Sequence, residues 1–453
     1  MSAHLPVTES HAFSLAETLG IAPVWVASII LVIVYAVLVT EKINRAILAM
    51  LGAALMVILG VINQHQAVDG VDFNTLALLI GMMTIVSITS KSGLFQYVAI
   101  KSAKVVKANP VGILIMLTVI TAVFSALLDN VTTVLLIAPI TLLITDSLGV
   151  KVFPFFFAEI LASNIGGTAT LIGDPPNIII GSAAKLSFND FLVNLMPIAV
   201  ITMFFLIALI YFLYRKSLKA TLKSRALIMR FKEKEAITDV MLMKKALFVL
   251  VLVLIGFTAG HGLGVEPGTS ALAGAALLML LAYWKQPAEE QNETIHHLFG
   301  EVEWVTIFFF AGLFIIVAGV ESTGLLEQVG AMLMDFTKGD MEMTAYLILW
   351  VSGLLSAILD NIPFVATMIP LIESTADSFG GAHAIEPLWW SLALGACFGG
   401  NGSLIGASAN LTVAAYAEKA KQPIRFMPFL IRAFPIMLVT LLISNVYVWL
   451  RYF

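Results

Sequence analysis

The sequence has few charged residues and a single cysteine. Charged residues make up only 12% of the 453 residues and hydrophobic residues 60%, whereas a soluble domain carries about 25% charged residues. This composition excludes a soluble globular protein and indicates an integral membrane protein. The single cysteine, Cys397, excludes an intramolecular disulfide and a cysteine-based zinc site. We interpret Cys397 as a small hydrophobe in the interior, not as a ligand.

Several functional motifs are also missing. Residues 1–22 contain no Lys or Arg, so they lack the charged start of a signal peptide, and we expect the first apolar segment to remain as a span. The sequence has no phosphate-binding loop, no spaced histidine motif and no nucleophile–base arrangement. We therefore expect no cofactor, no metal, no ATP hydrolysis within the chain and no enzymatic activity. The absence of a basic-aromatic patch argues against a nucleic-acid partner.

Long apolar segments dominate what is present. Ten of them suit a helix that crosses a bilayer, which needs about 17–25 apolar residues. They are 23–40, 46–63, 73–90, 153–183, 191–214, 246–262, 268–284, 302–320, 387–415 and 428–450.

The chain consists of two related halves. Residues 125–130 read SALLDN and residues 356–361 read SAILDN, and further matches such as Gly81 with Gly312 share the same offset of 231 residues. A constant offset over about a hundred residues indicates duplication. We predict an extracytoplasmic tail (1–22), a first repeat (23–214), a basic cytoplasmic linker (215–245) and a second repeat (246–453).

Two further apolar regions, 110–147 and 342–372, carry Asp-Asn at their centres. A spanning helix would leave this carboxylate near the bilayer centre, at a cost of about 2.5–3.5 kcal/mol. A re-entrant hairpin would place it at a tip that faces a polar cavity. Hairpins leave five spans per half, and an odd number predicts repeats of inverted topology. The predicted fold is therefore all-α, with about ten transmembrane helices and two re-entrant hairpins.

The distribution of basic residues supports this topology. With the N-terminus outside, the predicted cytoplasmic segments contain 22 of the 25 Lys and Arg residues, and only Lys185, Lys338 and Arg451 lie outside. This is the positive-inside bias, and it predicts that both termini are extracytoplasmic. The basic linker reads as a solvated segment that also suits contact with anionic lipid.

Two Gly-rich segments at membrane depth mark the candidate site. Residues 163–177 read SNIGGTATLIGDPPN and residues 396–410 read ACFGGNGSLIGASAN. Small residues also allow close helix packing, but a double proline ends a helix, and broken helices offer free backbone groups to a ligand. From these segments and the hairpin tips we predict as substrate-binding residues Asn130, Thr132, Thr133, Gly166, Gly167, Thr168, Asn177, Asn361, Asn401, Ser403, Ser408 and Asn410.

Carboxylates are the candidates for proton or cation coupling. Asp174 aligns with Ala407 and Glu159 with Leu392, so both break the internal symmetry. The alternative to a coupling role is that such a carboxylate is a structural partner for a lysine or lies near the membrane face. This alternative applies to Glu159. At the hairpin tips, Asp129 and Asp360 have either an ion-binding role or a structural one as helix caps.

These motifs resemble the arsenite-permease and pink-eyed-dilution P-protein group of the ion transporter superfamily, which also contains citrate and dicarboxylate carriers and NhaD-type sodium/proton antiporters. The likeness covers nearly all of residues 23–450. It implies scaffold helices and a mobile transport domain that works as an elevator. It also implies substrate or cation contacts at the tips, and it adds Asn164, Thr367 and Gly402 to the predicted site. The tip sequence Asp-Asn-Val-Thr departs from the Ser-Asn-Thr pattern of the dicarboxylate carriers.

We therefore expect a secondary active transporter of the bacterial inner membrane, with proton-driven efflux of arsenite or antimonite as the first hypothesis. Sodium/proton antiport, anion or dicarboxylate transport and an ion channel are the alternatives. The expected partners are a small inorganic or anionic substrate, protons or sodium ions, and membrane lipid. Whether the protein forms a homodimer, and whether it works with a separate ATPase subunit, is left open.

Overall fold

The computed structural model describes residues 20–40 and 42–453, and these are α-helical without any β-strand. The predicted tail therefore lies outside the described residues, except for its last three positions. The helices of the first part are α1 (Pro23–Leu38), α2 (Arg45–Ile58), α3 (Gln64–Asp69), α4 (Phe73–Ser90), α5 (Leu94–Val105), α6 (Pro110–Leu127), α7 (Asn130–Leu148), α8 (Phe153–Thr168), α9 (Pro175–Ala183) and α10 (Phe188–Tyr214). The remaining helices are α11 (Leu222–Met229), α12 (Val240–Gly260), α13 (Pro267–Tyr283), α14 (Ala288–Gly300), α15 (Trp304–Glu321), α16 (Leu325–Thr337), α17 (Met341–Ser356), α18 (Asn361–Ser374), α19 (Glu386–Gly399), α20 (Ser408–Lys419) and α21 (Phe426–Tyr452), with short 3₁₀ helices at Glu233–Ala236, His261–Leu263 and Asp377–Phe379.

The length and apolarity of the helices are those of a multi-pass membrane protein. Within the described residues, seven helices are long and apolar enough to cross a membrane, and four shorter ones are apolar. Each predicted span contains a helix, and the two Gly-rich spans contain two helices with a gap between them. The all-α membrane fold predicted from the sequence is confirmed.

The chain divides into two compact units, and each draws on both halves of the sequence. The first unit contains residues up to 72 together with 304–332. Its core is formed by α1, α2, α3 and α15 around Met56 and Ile316, which are fully buried. Helix α15 packs closely on α2, since a Cβ at Gly312 would lie 2.6 Å from the carbonyl carbon of Ala49.

The second unit contains residues 73–303 and 333–453. Its helices α4 and α13 repeat the close packing described above, because a Cβ at Gly81 would lie 2.6 Å from the carbonyl carbon of Ala271. Gly81 and Gly312 are the pair matched at the 231-residue offset. In each unit, therefore, a helix from one half of the sequence packs against a helix from the other half, and glycine permits the contact.

The candidate site lies in the second unit. Helices α6 and α7 form one hairpin, which turns at Leu128 and Asp129, and α17 and α18 form the other. These hairpins pack against α8 and α19 respectively, and both α8 and α19 are buried along nearly their whole length. Their burial shows that both helices are surrounded by protein. Whether the hairpins stop within the membrane stays a prediction.

Candidate functional site: two helix breaks and two hairpin tips

The chain leaves the helical conformation at both Gly-rich segments, and an asparagine closes each gap. Between α8 and α9, Asn177 Nδ2 donates to the carbonyl oxygens of Thr168 (3.2 Å) and Thr170 (2.9 Å). Between α19 and α20, Asn410 Nδ2 donates to the carbonyl oxygens of Gly400 (2.7 Å) and Ser403 (2.9 Å). These carbonyls have no helical partner, and burial would be costly without one. Each break is thus stabilised by its own asparagine.

Glycines at the breaks bring the hairpin arms against the broken helices. A Cβ at Gly166 would lie 2.2 Å from the carbonyl oxygen of Ala122 in α6, and a Cβ at Gly399 would lie 2.5 Å from that of Gly353 in α17. Both contacts are with backbone, so a side chain at either position would force the helices apart. Gly166 therefore has a packing role in the predicted site.

Serines reinforce both contacts in the same symmetrical way. Ser125 Oγ donates to the carbonyl oxygen of Ser163 at 2.5 Å, and Ser356 Oγ donates to that of Ala396 at 2.7 Å. The arms of the two hairpins are thus hydrogen-bonded to the two broken helices, which places the hairpin tips beside the breaks.

The aspartates at the hairpin tips cap helices. Asp129 Oδ1 accepts from the backbone N–H of Thr132 at 2.8 Å and begins α7. Asp360 precedes α18, accepts from the N–H of Ile362 at 3.4 Å and also accepts from Ser408 Oγ at 3.1 Å. Both aspartates thus act as helix caps, which is the structural role that we gave as one of their two alternatives. Asp360 also joins the second tip to the start of α20 by a hydrogen bond.

Asn164 occupies the centre of a hydrogen-bonded network that joins both breaks to the first tip. Its Nδ2 donates to Asn401 Oδ1 (3.0 Å) and Asn410 Oδ1 (3.1 Å), and its Oδ1 accepts from Asn130 Nδ2 (3.3 Å). All four side chains are buried. The structure therefore brings together asparagines that lie up to 280 residues apart in the sequence.

Asp174 lies between the two hairpin tips. Its Oδ1 accepts from Asn130 Nδ2 at 3.1 Å and from Asn361 Nδ2 at 3.4 Å, so each tip supplies one amide. The residue occupies the N-cap position of α9, where aspartate normally accepts from the helix, yet its side chain makes no capping bond. The carboxylate is directed toward the site instead of toward its own helix.

Three polar atoms of this network have no hydrogen-bond partner within the described chain, although they are buried. They are the acceptors Asp174 Oδ2 and Asn130 Oδ1 and the donor Asn401 Nδ2. Buried polar atoms are nearly always paired, so each exception calls for an explanation. No Lys, Arg or His of residues 20–40 and 42–453 forms an ion pair with Asp174. Two acceptors and one donor of the network are thus unpaired within the described chain.

Cys397 is buried, as we expected from the sequence, and it also makes a polar contact that the sequence did not predict. Its Sγ donates to Asn177 Oδ1 at 3.5 Å and lies against Asp174 and Thr168. In the alignment of the two Gly-rich segments, Cys397 stands where the first segment has Asn164. This correspondence was the signal in the sequence that pointed to it.

The other predicted site residues lie at the edge of the network or outside it. Glu159 is buried in α8 and accepts a hydrogen bond from Thr141, away from the breaks. Thr367 bonds to carbonyl oxygens of its own helix. Three of the remaining predicted residues bond through their hydroxyl groups: Thr168 donates to the carbonyl oxygen of Asn164, Ser403 accepts from the N–H of Gly406, and Ser408 donates to Asp360. Thr132 contributes its backbone N–H, Gly167 and Gly402 permit close packing, and the buried Thr133 hydroxyl has no partner in the described chain.

A cavity of about 260 Å³ opens beside the first break. Leu171 from the break and Ile178 from α9 are among its apolar lining residues, and Lys185, His261 and Glu266 lie among its polar ones. Within the described residues, no cluster of three or more His, Cys, Asp or Glu side chains forms a metal site. The geometry is that of a buried, amide-rich network next to a cavity.

Comparisons with known proteins identify the family of the chain. The family model CitMHS, described as "Citrate transporter", matches residues 35–395. An uncharacterized transporter of Mycobacterium tuberculosis is 42% identical over 432 residues, covering 94% of this chain and 98% of its own. The human P protein is 34% identical over 505 residues, and the match covers 94% of this chain and 59% of the P protein.

The fold also matches a solved transporter. The Alcanivorax borkumensis YdaH transporter aligns with a TM-score of 0.58 at 12% identity, covering 94% of this chain and 97% of that one. At this identity the match shows the fold alone. The resemblance to P proteins is confirmed, whereas these relatives include no arsenite permease. The chain belongs to the CitMHS citrate transporter family of membrane transporters.

Proposed function

We propose that this protein is a proton-coupled secondary transporter of the bacterial inner membrane, and that Asp174 is its coupling carboxylate. One observation carries the proposal: a fully buried carboxylate without a basic partner in the described chain is held between the tips of two hairpins. An ionisable group at membrane depth is typical of proton and ion pathways. Protonation of Oδ2 would neutralise this buried charge, which has no basic partner to balance it.

The two hairpins suit alternating access. Asn130 at one tip and Asn361 at the other bind the same oxygen of Asp174, so a change at this carboxylate reaches both tips at once. In an elevator mechanism, the hairpins and broken helices move together and carry the site across the membrane. The proposed topology, with both termini extracytoplasmic, would place the two tips on opposite sides of the site.

For the substrate, we propose arsenite or antimonite as the uncharged hydroxide, which the protein would export in exchange for protons. The site offers neutral amides, and among the described residues no Lys, Arg or His joins its hydrogen-bonded network. The unpaired donor Asn401 Nδ2 and the acceptor Asn130 Oδ1 suit a solute that carries hydroxyl groups. A multiply charged anion such as citrate would meet Asp174 without a basic counter-charge.

Sodium/proton exchange is the second candidate. Two further carboxylates, Asp129 and Asp360, lie close enough to Asp174 to act on it electrostatically. Such an accumulation of negative charge attracts cations.

Flux measurements in proteoliposomes test the proposal. With an imposed pH gradient, wild-type protein should accumulate arsenite, and Asp174→Asn should abolish the response to the gradient while the protein remains folded. Glu159→Gln is the matched comparison, because it also neutralises a buried carboxylate but lies outside the network. Full proton coupling in Asp174→Asn would refute the role of Asp174.

The substrate is tested in the same vesicles with arsenite, antimonite, sodium and citrate. If sodium collapses the pH gradient in the absence of arsenite, the assigned function becomes sodium/proton exchange and metalloid export is rejected. Saturable uptake of citrate alone would assign the chain to anion transport.

A further inference from the structure

The linker between the two repeats contains a helix with an exposed apolar face. This helix, α11, lies between α10 and α12, and both of these are long and apolar enough to cross a membrane. The linker therefore lies at one surface of the membrane. In α11, Leu222, Ala226 and Met229 are spaced i, i+4 and i+7, so they share one face. All three are exposed, and Leu222 is 82% exposed.

The opposite face of α11 is fixed to the transporter. Ile228 is fully buried, and α11 packs on α7, the second arm of the first hairpin. Arg225 Nη2 donates to the carbonyl oxygen of Lys107 at 2.9 Å, just before the first arm of the same hairpin. After α11, Glu233 forms an ion pair with Lys104 of α5 at 2.5 Å. These contacts hold the helix in one orientation, with its apolar face directed away from the protein.

The charge around this face is of one sign. Residues 215–232 contain seven Lys and Arg residues and no Asp or Glu. Four of the seven are exposed and form no ion pair within the described part of the chain, and we call them the basic face: Lys216, Lys219, Lys223 and Arg230. Clusters of four to eight basic residues next to a membrane span are typical of segments that bind anionic lipid.

Aromatic residues at the end of α10 indicate the level of the lipid headgroups. Tyr211 and Phe212 are exposed, and the Arg215 guanidinium lies over their rings, 5.6 Å and 5.2 Å from the centroids. Aromatic side chains of membrane proteins concentrate at the boundary between lipid and water. Because α11 begins at Leu222, shortly after this boundary, its apolar face is within reach of the membrane surface.

We propose that α11 is a surface helix that binds the anionic headgroups of the adjacent membrane leaflet. Its apolar face enters the boundary between headgroups and acyl chains, and the basic face contacts the lipid phosphates. An acidic soluble partner would account for the charge, but not for exposed apolar residues beside the end of a span. Since α11 packs on α7, the bound lipid lies next to the first hairpin.

The test uses a fluorophore at position 222. The single native cysteine is buried, so Leu222→Cys can be labelled selectively with an environment-sensitive dye. In vesicles of phosphatidylcholine with phosphatidylglycerol, the emission should lie at shorter wavelength than in phosphatidylcholine alone, and about 0.5 M salt should reverse the difference because it screens the charges. A label on the exposed, acidic first turn of α14, through Glu290→Cys, should report water in both lipids.

Charge variants of the labelled protein complete the experiment. Each lysine near an anionic surface contributes about fivefold to binding, so loss of three should shift the equilibrium of lipid contact about a hundredfold and remove the emission difference. The test variant carries three changes to Gln on the basic face: Lys216→Gln, Lys219→Gln and Lys223→Gln. The control removes three exposed lysines elsewhere and should keep the difference: Lys151→Gln, Lys285→Gln and Lys421→Gln.

Two results would overturn the proposal. One is equal emission from the label at position 222 in both lipids, which would leave the basic face to a soluble acidic partner. The other is an emission difference that persists in the basic-face variant or disappears equally in the control variant. Thermal melting in detergent should be the same for both triple variants and wild type, because the replaced lysines form no ion pair in the described chain.

Discussion

Replacing Gly166 by alanine should separate the first hairpin from the first broken helix. The added Cβ would lie 2.2 Å from the carbonyl oxygen of Ala122, and 2.5 Å from its Cα. These are backbone atoms of α6, so no rotation of a side chain relieves the overlap. To reach an ordinary contact of about 3.4 Å, the hairpin arm must retreat by about 1 Å.

The displacement reaches the site through the hairpin tip. Asn130 Nδ2 lies 3.1 Å from Asp174 Oδ1, so a retreat of about 1 Å would take it beyond hydrogen-bonding distance. A hydrogen bond to a charged group contributes about 1.5–3 kcal/mol, and forced overpacking costs about 1–3 kcal/mol more. Since 1.4 kcal/mol corresponds to a factor of ten, we expect flux to fall by about tenfold or more.

Two assays check this prediction: thermal melting of the detergent-solubilised protein and flux in proteoliposomes. Gly166→Ala should lower both the melting temperature and the flux. Gly399→Ala, at the equivalent position of the second half, should do the same through Gly353. Gly300→Ala is the control, because a Cβ there meets nothing within 4 Å. Wild-type melting and flux in Gly166→Ala would refute the argument that close approach of the two backbones builds the site.

Two further predictions concern stability. Burial opposes ionisation of Glu301, but hydrogen bonds from Ser87 and Lys91 outweigh it and hold the pKa of Glu301 below its ordinary value of 4.5. A depressed pKa stabilises the fold above the unfolded value, and this contribution is lost as the pH falls through the lowered pKa. Glu301→Gln should therefore lower stability by about 0.5–1 kcal/mol at pH 7, and its difference from wild type should shrink progressively as the pH falls below 4.5; an effect that does not change with pH would contradict this. Asn177→Ala should lower stability by about 2–4 kcal/mol in thermal melting, because it leaves buried carbonyl oxygens of the first break without a donor; a change below about 0.5 kcal/mol would argue against the role of Asn177.

Local signals in the sequence were sufficient to locate the helix breaks and the hairpins. The double proline at Pro175 and Pro176 begins a helix, and α9 starts there, whereas α8 already ends at Thr168. The Asp-Asn pairs at both tips lie at the start of α7 and α18. These features depend on residues that are neighbours in the chain, so their physical causes can be read from the sequence.

Pairings across the fold could not be read in that way. Cys397 was interpreted as packing, yet it bonds to Asn177, which is 220 residues away. Asp174 stands at a capping position, yet it bonds to Asn130 and Asn361. Glu159 and Asp174 both appeared as asymmetric carboxylates, and only the fold separates them, because Glu159 bonds to Thr141 outside the network.

The sequence by itself determined the membrane-spanning character, the duplication and the positions of the two Gly-rich breaks, since apolarity, repetition and helix termination are properties of short segments. Only the tertiary structure decided which side chains meet at the breaks. That choice depends on backbone contacts such as Gly166 with Ala122, which set the distance between elements far apart in the chain. The two breaks thereby become one network, in which an amide of one half is matched by a thiol of the other.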